Sequence, residues 1–206
     1  TVSLYEKWHA KRSRLHVFFG PSGPQRCSDA LLKECGERAR ILDTGFHTHV
    51  LESKAQARTA EAFYGKPMLF HLDGLGCLNE RTSMVHSVWL TDGEIKLAGE
   101  RGAVAVHNPA SNLLIGSGIA PVKKFREAGV PVALGTDGAN VSGSLSMFDS
   151  MKLAGLIHNR PDLPQEDWMQ PEDVLRMVTH DGPKAFLEKD LGVIAPGQKA
   201  DLILLN

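Results

Sequence analysis

The sequence predicts an α/β chain built from consecutive strand–helix units, a partial (β/α)₈ TIM-type barrel carrying roughly barrel strands 4–8. Three observations predict it. Short apolar runs alternate with longer segments of helical period. Cap and turn residues fall between them at the right places. One run, Val130 to Leu134, is apolar at every position, as a parallel strand covered on both faces must be. A complete barrel takes about 250 residues, and 206 residues hold five such units.

Taken in order, Leu15 to Phe19 reads as the first strand, ended by the rigid loop Gly20-Pro21-Ser22-Gly23-Pro24. Ser28 or Asp29 can cap a helix reaching about Arg40. Ile41 to Val50 contains the second strand, and Ser53 to Tyr64 the second helix, stopped by Gly65. Pro67 to Leu78 is a short helical insert. Ser83 to Val88 is the third strand, and Thr91-Asp92-Gly93-Glu94 forms a capping box for a helix ending near Arg101. Ala103 to Val106 is the fourth strand, followed by a loop of Asn, Pro, Ser and Gly. A helix over Ile119 to Ala128 precedes the fifth strand, Val130 to Leu134. The loop from Gly135 to Ser144 leads to helices over Leu145 to His158 and from Pro171 onward. Residues 1–190 thus make the barrel segment. Residues 191–206, with a Pro196-Gly197 turn and a final apolar run, are expected to begin a small separate β element.

Composition excludes several classes. Hydrophobic residues make up 42% and charged residues 23%, ordinary for a globular protein. A net charge of -1 gives no basic excess for nucleic acid or an anionic membrane. Lys11, Arg12 and Arg14 read as a solvated face. No apolar run approaches the ~20 residues of a membrane span, and no signal peptide opens the chain. Cys27, Cys35 and Cys77 have neither disulfide nor zinc-knuckle spacing, which suits a reducing, cytoplasmic setting.

Chemistry concentrates at strand ends. His47-Thr48-His49-Val50-Leu51-Glu52 puts two imidazoles on one side of a strand, because extended side chains alternate, with a carboxylate three residues beyond. His86 lies in the third strand, His107 ends the fourth and Asp137 follows the fifth. In a parallel barrel such ends meet at one mouth.

The ordered set His49-Val50-Leu51-Glu52, Met84-Val85-His86, His107-Asn108-Pro109-Ala110-Ser111-Asn112, Leu134-Gly135-Thr136-Asp137-Gly138 and Pro196-Gly197-Gln198-Lys199-Ala200-Asp201 resembles the C-terminal part of a metal-dependent amidohydrolase. The similar branch holds aminopurine and adenosine-type deaminases, guanine deaminase and triazine chlorohydrolases. The resemblance implies an aminohydrolase that removes an exocyclic amine from a purine-, pyrimidine- or triazine-type heterocycle by attack of metal-bound hydroxide. It implies His49 and Asp137 as ligands of zinc, with iron(II) as the alternative, and Glu52 as the proton shuttle. It also implies His86 as the residue orienting the nucleophile, Asp137 as a proton acceptor, and a homo-oligomeric enzyme. His107, Asn108, Ser111 and Asn112 fall where the family contacts substrate, and His47 is either a further substrate contact or a packed strand histidine.

Two departures stand out. The family draws two more histidines from an HxH at barrel strand 1, and none is present here, so the chain is expected to start near strand 4 and to bind metal weakly alone. Reading His47-Thr48-His49 as that HxH leaves too few strands before Asp137. Second, Ser22 stands where many of these deaminases carry a substrate-contacting histidine. A chlorohydrolase or amide hydrolase on the same scaffold, or an inactive binding module, are the competing readings.

Overall fold

The computed structural model describes residues 1–9 and 15–205. The Lys11, Arg12 and Arg14 cluster lies outside them. Four parallel strands, β1 (Phe46–Val50), β2 (Thr82–His86), β3 (Val104–His107) and β4 (Val132–Leu134), form one sheet in the order β1-β2-β3-β4. Strand order that follows chain order without reversal is the winding of a barrel rather than of a doubly wound sheet.

Among the described residues, ten α-helices connect and flank the strands: α1 (Val2–Trp8), α2 (Asp29–Ile41), α3 (Lys54–Tyr64), α4 (Met68–Gly74), α5 (Asp92–Glu100), α6 (Pro109–Leu114), α7 (Val122–Glu127), α8 (Ala139–Ser142), α9 (Met147–Ile157) and α10 (Pro171–Val178). Their ends follow from local chemistry. Ser28 caps α2 by accepting from Leu31 N–H. Ser53 and Gln56 form the capping box of α3, and Gly65, at φ 67°, closes it in the left-handed region. Thr91 and Glu94 form the predicted box at α5.

Two expectations change. Leu15 to Phe19 makes only an isolated parallel bridge, Phe19 to Phe46. The Val17 N–H donates to His9 Nδ1 and its carbonyl accepts from Thr44 Oγ1, so side chains take the groups a ladder needs. The predicted loop after the fourth strand contains α6, because Pro109 at its first turn starts a helix without losing a bond. The apolar tail finds no ladder partner among the described residues, and Leu204 is 99% exposed.

Strand parity divides the sheet. Phe46, Thr48 and Val50 align with Thr82, Met84 and His86, and Met84 with Ala105 and Val132. Of this row, Phe46, Val50, Met84, Ala105 and Val132 pack into the main core with Leu32, Leu72, Ile95 and Phe125. Each fully buried Phe, Val, Leu, Ile or Met side chain there contributes about 1.5–3 kcal/mol. The opposite row, His47, His49, Ser83, Val85, Val106 and Ala133, faces the other way. On that side a cavity of about 700 Å³ is lined by His47, Val106, Ala133, Gly135, Thr136 and Phe186.

Candidate active site

His47 and His49 share the lumen side of β1, as the spacing predicts. His47 pairs through Nδ1 with Ser83 Oγ at 2.6 Å, its register neighbour on β2. His47 keeps an edge open to solvent, yet its ring sits inside the concave mouth. Lost hydration there, followed by the nearby His49 and His86, holds its pKa below the ordinary histidine value. His49 Nδ1 donates to the Ser22 carbonyl at 2.5 Å. A carbonyl can only accept, so neutral His49 carries its proton on Nδ1 and leaves the Nε2 lone pair free.

Ser22 belongs to a loop fastened at three carbonyls. Thr48 Oγ1 donates to Pro21 at 2.8 Å and Tyr64 Oη to Pro24 at 3.0 Å, on either side of the His49 bond. Ser22, standing where many of these deaminases carry a histidine, therefore contributes its backbone carbonyl, which the side-chain pattern does not show.

His86 is the hub. Its Nε2 lies 3.6 Å from Glu52 Oε1 and 3.8 Å from Asp137 Oδ2, and its ring stacks on His49 with centroids 5.4 Å apart. Its Nδ1 bonds Asn112 Oδ1 at 2.8 Å. Burial, the largest influence, lowers the His86 pKa. Glu52, the Asn112 bond and Asp137 push it back up in part. Regular alternation would send His86 to the helix side with Met84. Instead its φ is 69° and that of Ser87 is 51°, which re-aims the imidazole at the carboxylates.

Glu52 and Asp137 arrive by similar means. Leu51, at φ 45°, turns the chain out of β1 before Glu52. Asp137 has φ 62°, and its Oδ1 accepts from Gly138 N–H at 2.7 Å. Glu52, His86, His49 and Asp137 are thus brought together from three strand ends.

The remaining predicted residues are not brought to that mouth. His107 shares the parity of Ala105 and, with no backbone break, its ring stays on the helix side. It is 1% exposed and its Nε2 lies 3.2 Å from His158 Nε2, at the end of α9. Burial first, then His158 and His86, drives its pKa down to about 3, while burial takes His158 to about 4. Asn108 is 3% exposed, and Ser111 and Asn112 are fully covered. Asn108 Oδ1 sits where a Cβ on Gly135 would lie only 2.2 Å away, so the Gly in Leu134-Gly135-Thr136-Asp137 is needed for close approach. Sequence reasoning missed Ser83, His158 and the link from Asn112 to His86. Only strand register and helix packing reveal them.

The donor chemistry suits a metal. His49 has the tautomer of a ligating histidine whose other nitrogen is held by a carbonyl, and Asp137 keeps Oδ2 toward the centre. Among the described residues, no group of three or more His, Cys, Asp or Glu is arranged to hold an ion. His49 and Asp137 are therefore a fitting but partial set.

A run of parallel strand–helix units with His, Glu, His and Asp gathered at its strand ends defines a hydrolase-type barrel segment. The chain belongs to the amidohydrolase family, whose model matches residues 4–206. It is 39% identical over 202 residues to a 5'-deoxyadenosine deaminase of Methanosarcina mazei, covering 96% of this chain and 45% of that protein. It is 38% identical over 209 residues to a 5-methylthioadenosine/S-adenosylhomocysteine deaminase of Caldanaerobacter subterraneus subsp. tengcongensis, covering 100% and 48%. Among solved structures, a zinc-complexed atrazine chlorohydrolase from Arthrobacter aurescens TC1 matches with a TM-score of 0.90 at 27% identity, covering 97% of this chain and 44% of that one. An adenosine deaminase from Xanthomonas campestris with bound zinc gives 0.86 at 32% identity, covering 97% and 45%. The chain spans about half the length of the curated relatives it matches. Its fold is a partial amidohydrolase barrel.

Proposed function

We propose that the protein is a zinc-dependent aminohydrolase that removes the exocyclic amine of an amino-substituted N-heterocycle, with adenosine-type nucleosides as the first class to test. The single observation that supports this is the convergence on His86 Nε2 of Glu52 at 3.6 Å and Asp137 at 3.8 Å, beside His49. His49 and Asp137 supply two of the donors for the ion. When bound, the metal lowers the pKa of water and so makes a nucleophile available at neutral pH.

The chain's own residues do the rest. Glu52 gives a proton to the ring nitrogen beside the carbon under attack, then takes the remaining proton of the added oxygen and passes it to the departing amine, while the proton that Asp137 accepts from the water returns to Glu52. Asp137 accepts a proton from the attacking water, and neutral His86 orients that water through Nε2. His47, on the rim of the 700 Å³ cavity, contacts the heterocycle. His107, Asn108, Ser111 and Asn112 act from the buried layer behind the mouth. We read residues 1–190 as the barrel segment and 191–206 as the start of a small β domain, in a cytoplasmic homo-oligomer. No described helix is long and apolar enough to cross a membrane.

Ammonia release by the full-length zinc-loaded protein from 5'-deoxyadenosine-type nucleosides, other aminopurines, aminopyrimidines and aminotriazines tests the reading. Release from at least one class is expected, and none from any class refutes it. The likeness to the atrazine chlorohydrolase favours a second reading, displacement of chloride from a triazine. Chloride rather than ammonia as the product decides for it.

A further inference from the structure

Asn112 was expected to touch substrate, but its side chain is fully covered and its amide oxygen lies 2.8 Å from His86 Nδ1. The backbone around it is firmly held. The Asn112 N–H donates to the Asn108 carbonyl at 3.0 Å, and the Asn112 carbonyl accepts from Ser117 N–H at 2.7 Å. With the Asn112 amide turned so that Oδ1 faces the ring and Nδ2 lies buried without a partner, the oxygen has no proton to give and His86 Nδ1 carries the proton in this bond. A neutral imidazole with its proton on Nδ1 has a lone pair on Nε2.

That lone pair faces the two carboxylates. At 3.6 and 3.8 Å neither is within hydrogen-bond reach of Nε2. Neither carboxylate therefore sets the tautomer by direct bonding, which leaves Asn112 as the group that does. We infer that Asn112 is a positioning residue that fixes His86 as the Nδ1–H tautomer, so that Nε2 presents an acceptor between Glu52 and Asp137. The inference extends the proposed function, in which a proton-bearing Nε2 would offer a donor where an acceptor is needed. It acts through His86 and requires no contact between Asn112 and substrate.

The test reads the tautomer directly, by ¹⁵N-histidine NMR of the full-length protein without metal or substrate at neutral pH. The wild type is expected to show a protonated, pyrrole-like Nδ1 and a pyridine-like Nε2 for His86. Asn112→Leu, close in volume but with no acceptor, is expected to move the proton wholly or partly to Nε2. Asn112→Asp keeps an acceptor at the same place and is expected to retain the wild-type pattern. A wild-type His86 protonated on Nε2 overturns the inference without recourse to any variant, as does an unchanged pattern in a folded Asn112→Leu protein. In the metal-loaded enzyme, Asn112→Leu should lower kcat about 10- to 100-fold with KM little changed, because a residue supporting the site from behind leaves substrate binding intact. A dominant rise in KM would instead restore the substrate-contact role. If no heterocycle is deaminated but the tautomer responds as expected, the proposed function fails and the positioning role stands.

Discussion

Acid should destabilise this protein through one buried ring, His107. Unfolded, its imidazole takes up a proton as the pH falls through the ordinary histidine value of about 6.5. Folded, it stays neutral until about pH 3, because it is 1% exposed and faces a second imidazole. The unfolded state therefore binds more protons throughout the interval between them. Stability is full above pH 6.5 and declines as the pH falls, by about 1.4 kcal/mol per unit for this group. At pH 5 the loss from His107 alone is about 2 kcal/mol, and its ceiling near pH 3 is about 5 kcal/mol. The half-buried His158, with its pKa lowered to about 4, adds a contribution of the same sign with a lower ceiling. The assay is urea unfolding at pH 7.5 and 5.0 for the wild type and for His107→Leu. Other acid-sensitive groups are common to both proteins, so the wild type should lose about 2 kcal/mol more than the variant. Equal losses in the two, or an His107 ring proton that titrates near pH 6.5 in the folded protein, refute the reasoning.

Other consequences are equally direct. Glu52→Gln removes the proton donor but keeps the shape, so turnover should fall about 10²- to 10⁴-fold while metal content holds; near-wild-type turnover removes Glu52 from the chemistry. His49→Ala should lower zinc per chain in the full-length protein, measured by atomic absorption, and unchanged stoichiometry contradicts its role as a ligand. Gly135→Ala places a Cβ 2.2 Å from Asn108 Oδ1 and should cost about 1–3 kcal/mol, read as a lower urea midpoint; an unchanged midpoint disproves the close approach.

Much of the fold was legible because its signals are local. The caps at Ser28, Ser53 and Thr91 and the left-handed Gly65 act within a few residues, and the helices begin and end beside them. The all-apolar run before Gly135 was similarly legible as a buried strand, though its ladder is confined to Val132–Leu134. What failed depended on distant partners. Nothing near Val17 in sequence reveals that Thr44 will occupy its carbonyl, and the composition of Asn108 to Asn112 suits a loop as well as the short α6. The site divides in the same way. His49 and Glu52 were legible as a pair because one short segment carries both. Asn112 and Ser83 acquire their partners only when neighbouring strands come into register.

His107 shows why a polar residue at a strand end is an insufficient signal. Extended backbone sends alternate residues to opposite faces, so a regular strand end is as ready to bury its last side chain as to present it at the mouth. Of the six non-glycine residues with positive φ among those described, Leu51, His86, Ser87 and Asp137 lie at the three strand ends that build the site. Such conformations cost on the order of 1–3 kcal/mol each and persist only where the surroundings enforce them. The end of β3 has no such break, and its histidine is the one that turns away toward α9. Convergence at this mouth thus follows from backbone departures that override strand parity. The residue types alone name the candidates, and the left-handed turns select among them.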